Sequence, residues 1–194
     1  NLDFLTAFEI GLIEEFVKIL GVLIIARSWG HNAELDGILL GAAAGMSFAA
    51  LESMGYAFMA LISSGGNISA TVGVTLLRGL LSPLGHGTWT AIIVGVLFRE
   101  SLSRRFRITR RVASTFLIVV ILHGLWDGLP GVVDAVTGSG LDVFISQAVI
   151  GAVGLFILWR EWREAVRLQA AQALEREAVA PAPPVSFPDV GGEA

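Results

Sequence analysis

The sequence predicts an all-α, polytopic membrane helix bundle. Three observations carry that prediction. The chain of 194 residues is 54% hydrophobic, with a mean hydropathy of +0.73, well above the balance of a soluble globular domain. Its apolar residues fall into about five runs, each close to the roughly 20 residues that cross a bilayer at about 1.5 Å per residue. Its basic residues collect beside the ends of two of those runs.

The first run, Phe4 to Ala26, is apolar except for Glu9 and the group Glu14, Glu15 and Lys18. A charge near the bilayer centre costs about 2.5–3.5 kcal/mol on insertion scales, so such groups face a protein interior or a wet cavity. Glu14 and Glu15 precede Lys18 by four and three residues, so both carboxylates reach one ammonium. One lysine cannot neutralise two glutamates, and the spare carboxylate needs a partner elsewhere or a chemical role. A polar connection, Arg27 to Asp36, follows. It holds His31, read as a solvated loop histidine.

The second run spans about Gly37 to Ile62. Gly37, Gly41 and Gly45 recur every four residues, the small-residue spacing for close helix approach in lipid, and this face is suited to a substrate helix. Phe48, Glu52 and Tyr56 lie further along the run. Ser63 to Ser69 is an uncharged Gly-rich turn, and Asn67-Ile68-Ser69 fits a glycosylation sequon by chance. The third segment, Ala70 to Phe98, is too long for one straight crossing and is interrupted by Arg78 and Pro83. A short outer piece followed by a crossing from about Gly79 is expected.

Arg99 to Arg111 holds six Arg and one Glu. The fourth run, Val112 to about Leu129, should stop near Pro130, followed by an acidic link from Gly131 to Asp142. The fifth runs from Val143 to Trp159, and a helix continues into water as far as Glu177. The expected division is a transmembrane domain over 1–162 and a cytoplasmic amphipathic helix with a Pro-rich disordered tail over 163–194.

The basic segments at Arg99–Arg111 and after Trp159 are separated by two runs. Both therefore fall on the cytoplasmic side under the positive-inside rule, with Asn1 outside. The Arg99–Arg111 loop should bind anionic lipid headgroups of the bilayer rather than nucleic acid. With no Cys, thiolate nucleophiles, thiolate metal sites and disulfides are excluded. The chain begins without Met and almost directly in a span, so segments upstream of it are expected.

Depth follows from counting inward from each cytoplasmic end. Glu15 lies about 18 Å in, His86 about 20 Å, His123 about 18 Å and Glu52 about 24 Å. Four helices thus bring two carboxylates and two imidazoles to nearly one level, somewhat beyond the midplane. Asp127 follows His123 by one helical turn and can orient its ring. Trp89, Trp126 and Phe48 read as wall. Two His and one Glu can hold a catalytic zinc with an open position, and Glu52, His86 and His123 are the natural set. Glu15, or Glu14, would then be the general base. Without metal, a carboxylate would activate the water and the imidazoles would bind the oxyanion.

Glu14-Glu15-x-x-Lys18, Phe48-x-x-x-Glu52, His86-x-x-x-Thr90 and His123-x-x-x-Asp127, with Asp36-Gly37 and Tyr56, resemble the motifs of the PrsW family of intramembrane proteases. That family is similar to the CAAX prenyl endoproteases and to a multispan subunit of gamma-secretase. CAAX-type members have His where this chain has Glu52, which points to the PrsW branch. The resemblance implies an endopeptidase acting on membrane-anchored protein substrates in a prokaryotic plasma membrane, and the positive-inside rule puts its C-terminus in the cytoplasm. It implies a site at Glu14, Glu15, Lys18, Glu52, His86, His123 and Asp127. The same residues leave open a proton- or cation-coupled transporter and a non-catalytic membrane scaffold.

Overall fold

The structure, a computed structural model, describes residues 3–28, 33–101, 105–138 and 141–179. His31, Ser103 and the tail from residue 180 lie outside the described residues. Six helices follow in order: α1 (Phe4–Ala26), α2 (Glu34–Ser63), α3 (Ile68–Leu81), α4 (His86–Glu100), α5 (Arg110–Thr137) and α6 (Leu141–Val179). Among the described residues four stretches are long and apolar enough to cross a membrane: α2, α3 and α4 taken together, α5, and α6. At 23 residues α1 is as long as a crossing, but it carries the charges of Glu9, Glu14, Glu15 and Lys18.

Polarity is distributed in the reverse of a soluble protein. Leu12, Ile13, Phe16, Leu51, Phe58, Met59, Leu117 and Phe156 face outward, whereas Glu15, Lys18, His86 and His123 are buried. An apolar exterior around a charged interior is what lipid as solvent selects. The chain is an integral membrane protein.

On α1 the buried face is Ala7, Gly11, Glu15, Lys18, Val22 and Ala26, steps of three and four that put Glu15 and Lys18 on one inward stripe. That stripe lies along α5, while α2 lies along α4. The glycine ridge of α2 is what brings the second pair together. A Cβ on Gly41 would stand 2.5 Å from the Thr90 carbonyl oxygen, and one on Gly45 would intrude on the His86 carbonyl group. The small-residue face therefore receives α4 and is not free for a substrate helix.

At the centre stands α4, buried from His86 to Phe98. Trp89, Ile92, Ile93, Val96, Leu97 and Phe98 form a core with Val22, Val119, Leu122, Trp126 and Ile150. Its 15 residues span only about 22 Å, less than the hydrocarbon core of about 30 Å. The break comes at a 3₁₀ turn, Ser82–Leu84, built on Pro83, so the crossing piece starts at His86 and not at Gly79. Its first residue is consequently suspended inside the bundle, where a histidine can meet the other helices.

One further boundary differs from expectation. Pro130 does not end the fourth crossing: α5 runs through it to Thr137 and closes on Gly138 in the left-handed conformation, φ 67°. A proline removes one backbone bond, and in a membrane bundle neighbouring helices hold the chain in register around it. The helix expected to continue past Trp159 into water does so, as one continuous α6 out to Val179. Asn67 takes a structural part, accepting hydrogen bonds from the Ser69 and Ala70 amides at 3.0 and 3.3 Å as the cap of α3.

The end of the bundle away from that turn is tied by ions. Arg99 of α4 meets Glu34 of α2 at 3.4 Å and Glu161 of α6 at 3.6 Å, and also pairs with Glu164. Arg111 of α5 reaches Glu161 at 3.8 Å. Four helices share this network.

Candidate active site

The inward face of α1 meets the first turn of α4 and the middle of α5. Gly11 lets α5 come close there, since a Cβ would lie 3.2 Å from that of His123. Glu15 is completely enclosed. Its Oε1 receives Lys18 Nζ at 2.7 Å and lies 2.9 Å from His123 Nδ1, and its Oε2 receives the Thr90 hydroxyl at 3.3 Å. Three donors from three helices thus occupy both oxygens of that carboxylate.

Lys18 Nζ also lies 2.8 Å from His86 Nδ1 and 4.4 Å over the Phe48 ring. An ammonium can only donate. His86 Nδ1 is therefore the accepting nitrogen and its proton sits on Nε2, 3.0 Å from Glu52 Oε2. Glu52 is held in turn by Arg78 Nη2 at 2.6 Å.

His123 has acceptors on both sides. Nδ1 faces a carboxylate and must donate to it. Nε2 faces Asp127 Oδ2 at 3.3 Å and Glu14 Oε2 at 3.6 Å, which again only accept. That nitrogen calls for a second proton or for a cation. Glu14 Oε2 itself is buried and makes no hydrogen bond; its nearest cation is Lys18 Nζ at 3.5 Å, and His86 Nδ1 stands 3.9 Å away. Glu14, His86 and His123 each direct one donor atom to within 4.8 Å of the others.

These observations test the fit of a divalent ion. Two imidazole nitrogens and one carboxylate oxygen converge, and the oxygen has no hydrogen bond. Around the rings stand four carboxyl groups (Glu14, Glu15, Glu52 and Asp127) against two cations, Lys18 and Arg78. With neutral rings the cluster carries an excess of two negative charges, which one dication offsets. The donor set fits.

The set of seven expected residues is thus brought together, with one rearrangement. Glu52, expected beside the two histidines as a ligand, lies against Nε2 of His86, across the ring from the edge that faces Glu14 and His123. The imidazole rings pack edge to face with centroids 5.0 Å apart, and Trp89 closes over His123 at 4.9 Å. Trp126 and Phe48 complete the wall. Two residues outside the expected site set join it: Thr90, which donates to Glu15, and Arg78, which holds Glu52 as a partner the sequence already offered. Thr90 lies one turn beyond His86 on the same face, and an arginine inside an apolar segment requires a carboxylate partner; both signals were present.

The site opens on a chamber of about 180 Å³ lined by His86, Glu52, Arg78, Asp127, Gln147 and Trp126, among others. Beside it, between α2 and α3, runs an apolar groove of about 330 Å³ walled by Met46, Ala50, Ser53, Met54, Arg78 and Gly79, among others.

The sequence pattern of the PrsW family intramembrane metalloproteases matches residues 2–159. The chain belongs to the PrsW family. The match takes in every residue of the cluster and stops at the point where α6 leaves the apolar part of the bundle. No curated protein and no solved structure matches the chain significantly.

Proposed function

We propose that this protein is an endopeptidase that cuts membrane-anchored proteins within the bilayer, with Glu14 as the carboxylate that engages the attacking water. One observation carries the reading: the buried, hydrogen-bond-free Oε2 of Glu14, opposite two imidazole nitrogens, one of them on the histidine that lines the polar chamber. Of the two carboxylates expected as base, Glu15 or Glu14, Glu15 has both oxygens occupied and serves to aim His123 and Lys18.

In hydrolysis the water oxygen bonds to the scissile carbonyl carbon and its proton passes to Glu14 Oε2. The carbonyl oxygen becomes an oxyanion, stabilised by Lys18 Nζ and by a proton on His123 Nε2. The C–N bond breaks as Glu14 returns its proton to the departing amine. Glu14, His86 and His123 would hold a divalent ion, zinc by the character of the donors, which would polarise the carbonyl and acidify the water. Glu14 is then a ligand, and Asp127, 3.3 Å from His123 Nε2 on the chamber side, becomes the proton acceptor.

The basic segment after residue 99 and the end of α6 lie on the cytoplasmic side in this reading, which places the chamber toward the outer half of the membrane. The test uses purified protein in proteoliposomes with membrane-anchored reporter proteins, mass spectrometry of the products and metal analysis of the same preparation. Wild-type protein should cleave and Glu14→Gln should not. Loss of bound zinc in Glu14→Gln assigns Glu14 as a ligand; zinc retained, or no zinc in an active wild type, assigns it as the base. Cleavage at the wild-type rate by Glu14→Gln would refute the proposal.

A further inference from the structure

Arg78 stands outside the motif residues that the family resemblance carries, yet its guanidinium is among the most firmly held groups near the site. It projects from α3, just before the break that frees His86, and grips one turn of α2 in three ways. Nη2 meets Glu52 Oε2 at 2.6 Å, Nε donates to Ser53 Oγ at 3.1 Å, and Cζ lies 4.1 Å over the Tyr56 ring. Two separated N–H groups and a flat face are used at once, a combination an ammonium cannot reproduce.

We propose that Arg78 is a positioning residue of this site, which acts through Glu52 to fix the tautomer and the aim of His86. The proposal rests on the hydrolytic reading above and deepens it. The same oxygen that Arg78 holds, Glu52 Oε2, receives the His86 Nε2 proton at 3.0 Å. With Nε2 committed, the lone pair of Nδ1 is turned toward Lys18, Glu14 and His123, where the reaction needs it. A carboxylate that orients an imidazole through its other nitrogen is the usual support of a working histidine. Here that carboxylate is only half-buried on the chamber wall and needs an anchor of its own. Arg78 supplies it from a separate helix. Without that anchor Glu52 swings into the chamber, and His86 is left with one partner and two available tautomers and ring orientations.

A purely electrostatic role, in which Arg78 only offsets the charge of Glu52, predicts something different. So does direct recognition of substrate from the groove that Arg78 also lines. The experiment compares wild type, Arg78→Ala and Arg78→Lys in nanodiscs. The chain contains three histidines, so nitrogen-15 histidine labelling gives a spectrum that His31→Gln and His86→Gln variants assign. Wild type should show His86 as a single form protonated at Nε2. In Arg78→Ala that signal should give way to a mixture of tautomers, with kcat lowered about 10- to 100-fold and KM within a factor of two. Arg78→Lys keeps the charge but loses the fork; it should fold, recover only part of kcat, and still show the mixture.

An unchanged His86 signal in folded Arg78→Lys overturns the proposal, and so does a loss confined to KM. The tautomer measurement needs no substrate. A wild type that cleaves nothing but loses its single His86 form in the variants would therefore count against the peptidase reading alone. An active wild type whose His86 is indifferent to Arg78 would count against this inference alone. Where Arg78→Ala does not fold, Arg78→Lys carries the same test.

Discussion

Replacing Gly45 by Ala tests whether the α2–α4 contact aims the site. The added methyl would lie 2.7 Å from the carbonyl carbon of His86 and closer still to its oxygen, and 3.0 Å from Thr90 Oγ1. Ordinary contact begins near 3.4 Å. The obstructing atoms belong to the first turn of a helix buried on every side, so no side-chain rotation relieves the clash. The helices must part by about 1 Å, at the 1–3 kcal/mol typical of overpacking. Because the moved group is the backbone of His86, the site suffers as well: a misplacement of about 1 Å costs roughly 100-fold in rate. Gly55 on the same helix has nothing within 4 Å of its would-be Cβ, and Gly55→Ala is the control. Thermal unfolding in detergent and reporter cleavage in proteoliposomes, run on both variants, give the result. Gly45→Ala should lower the unfolding midpoint and the rate together, and Gly55→Ala neither. A Gly45→Ala protein with the stability and rate of wild type would mean that α2 and α4 do not pack as described.

Glu14→Gln and Glu15→Gln should separate chemistry from structure. The first removes a carboxylate that makes no hydrogen bond through Oε2, so unfolding should stay near wild type while cleavage is lost by at least about 100-fold. The second strands Lys18 and His123 in a closed interior, and about 3–5 kcal/mol of stability should go with the activity. A strong chelator should abolish cleavage and added zinc should restore it; full activity in protein shown to be metal-free would leave the glutamate route alone standing. Cys placed at Ser64, in the turn between α2 and α3, should react with an impermeant reagent on intact cells. Cys placed at Ile108 should react only after permeabilisation, and the reverse pattern would invert the topology.

Much of the bundle was legible because lipid leaves the chain few choices. Length and hydropathy mark the crossings, and the break at Pro83 was visible as a proline inside an overlong segment. Pro130 misled because the same rule was applied where neighbouring helices compensate. The continuation of α6 past Trp159 was legible because apolarity ends there but helix propensity does not: Arg160 to Glu177 is rich in Ala, Glu, Arg and Leu. The glycines of α2 announced a close approach without saying to what. A small-residue ridge records the distance of a neighbour, and only the assembled bundle shows that the neighbour is α4.

The site divides in the same way. Counting residues from the ends fixes depth along each helix, and the four groups do converge as that arithmetic required. It says nothing about direction around the helix axis. Glu14 and Glu15 differ by one residue, hence by about 100° of rotation, and that angle decides which carboxylate is enclosed by donors and which keeps a free oxygen. The angle is set by α5, which closes on Gly11 and brings His123 Nδ1 to Glu15. Glu52 turns on the same point: it reaches the right level but meets His86 from the Nε2 side, because Arg78 holds it there. The histidines therefore present inward Nδ1 from one ring and Nε2 from the other, a pairing no sequence spacing could state. With Glu14 Oε2 they converge on one place where acceptors outnumber donors, Lys18 Nζ standing 2.8 Å from His86 Nδ1 and 3.5 Å from Glu14 Oε2. His123 Nε2, between the carboxylates of Glu14 and Asp127, still calls for a proton or a cation, and the Glu14 oxygen without a hydrogen bond is what makes the place reactive toward water.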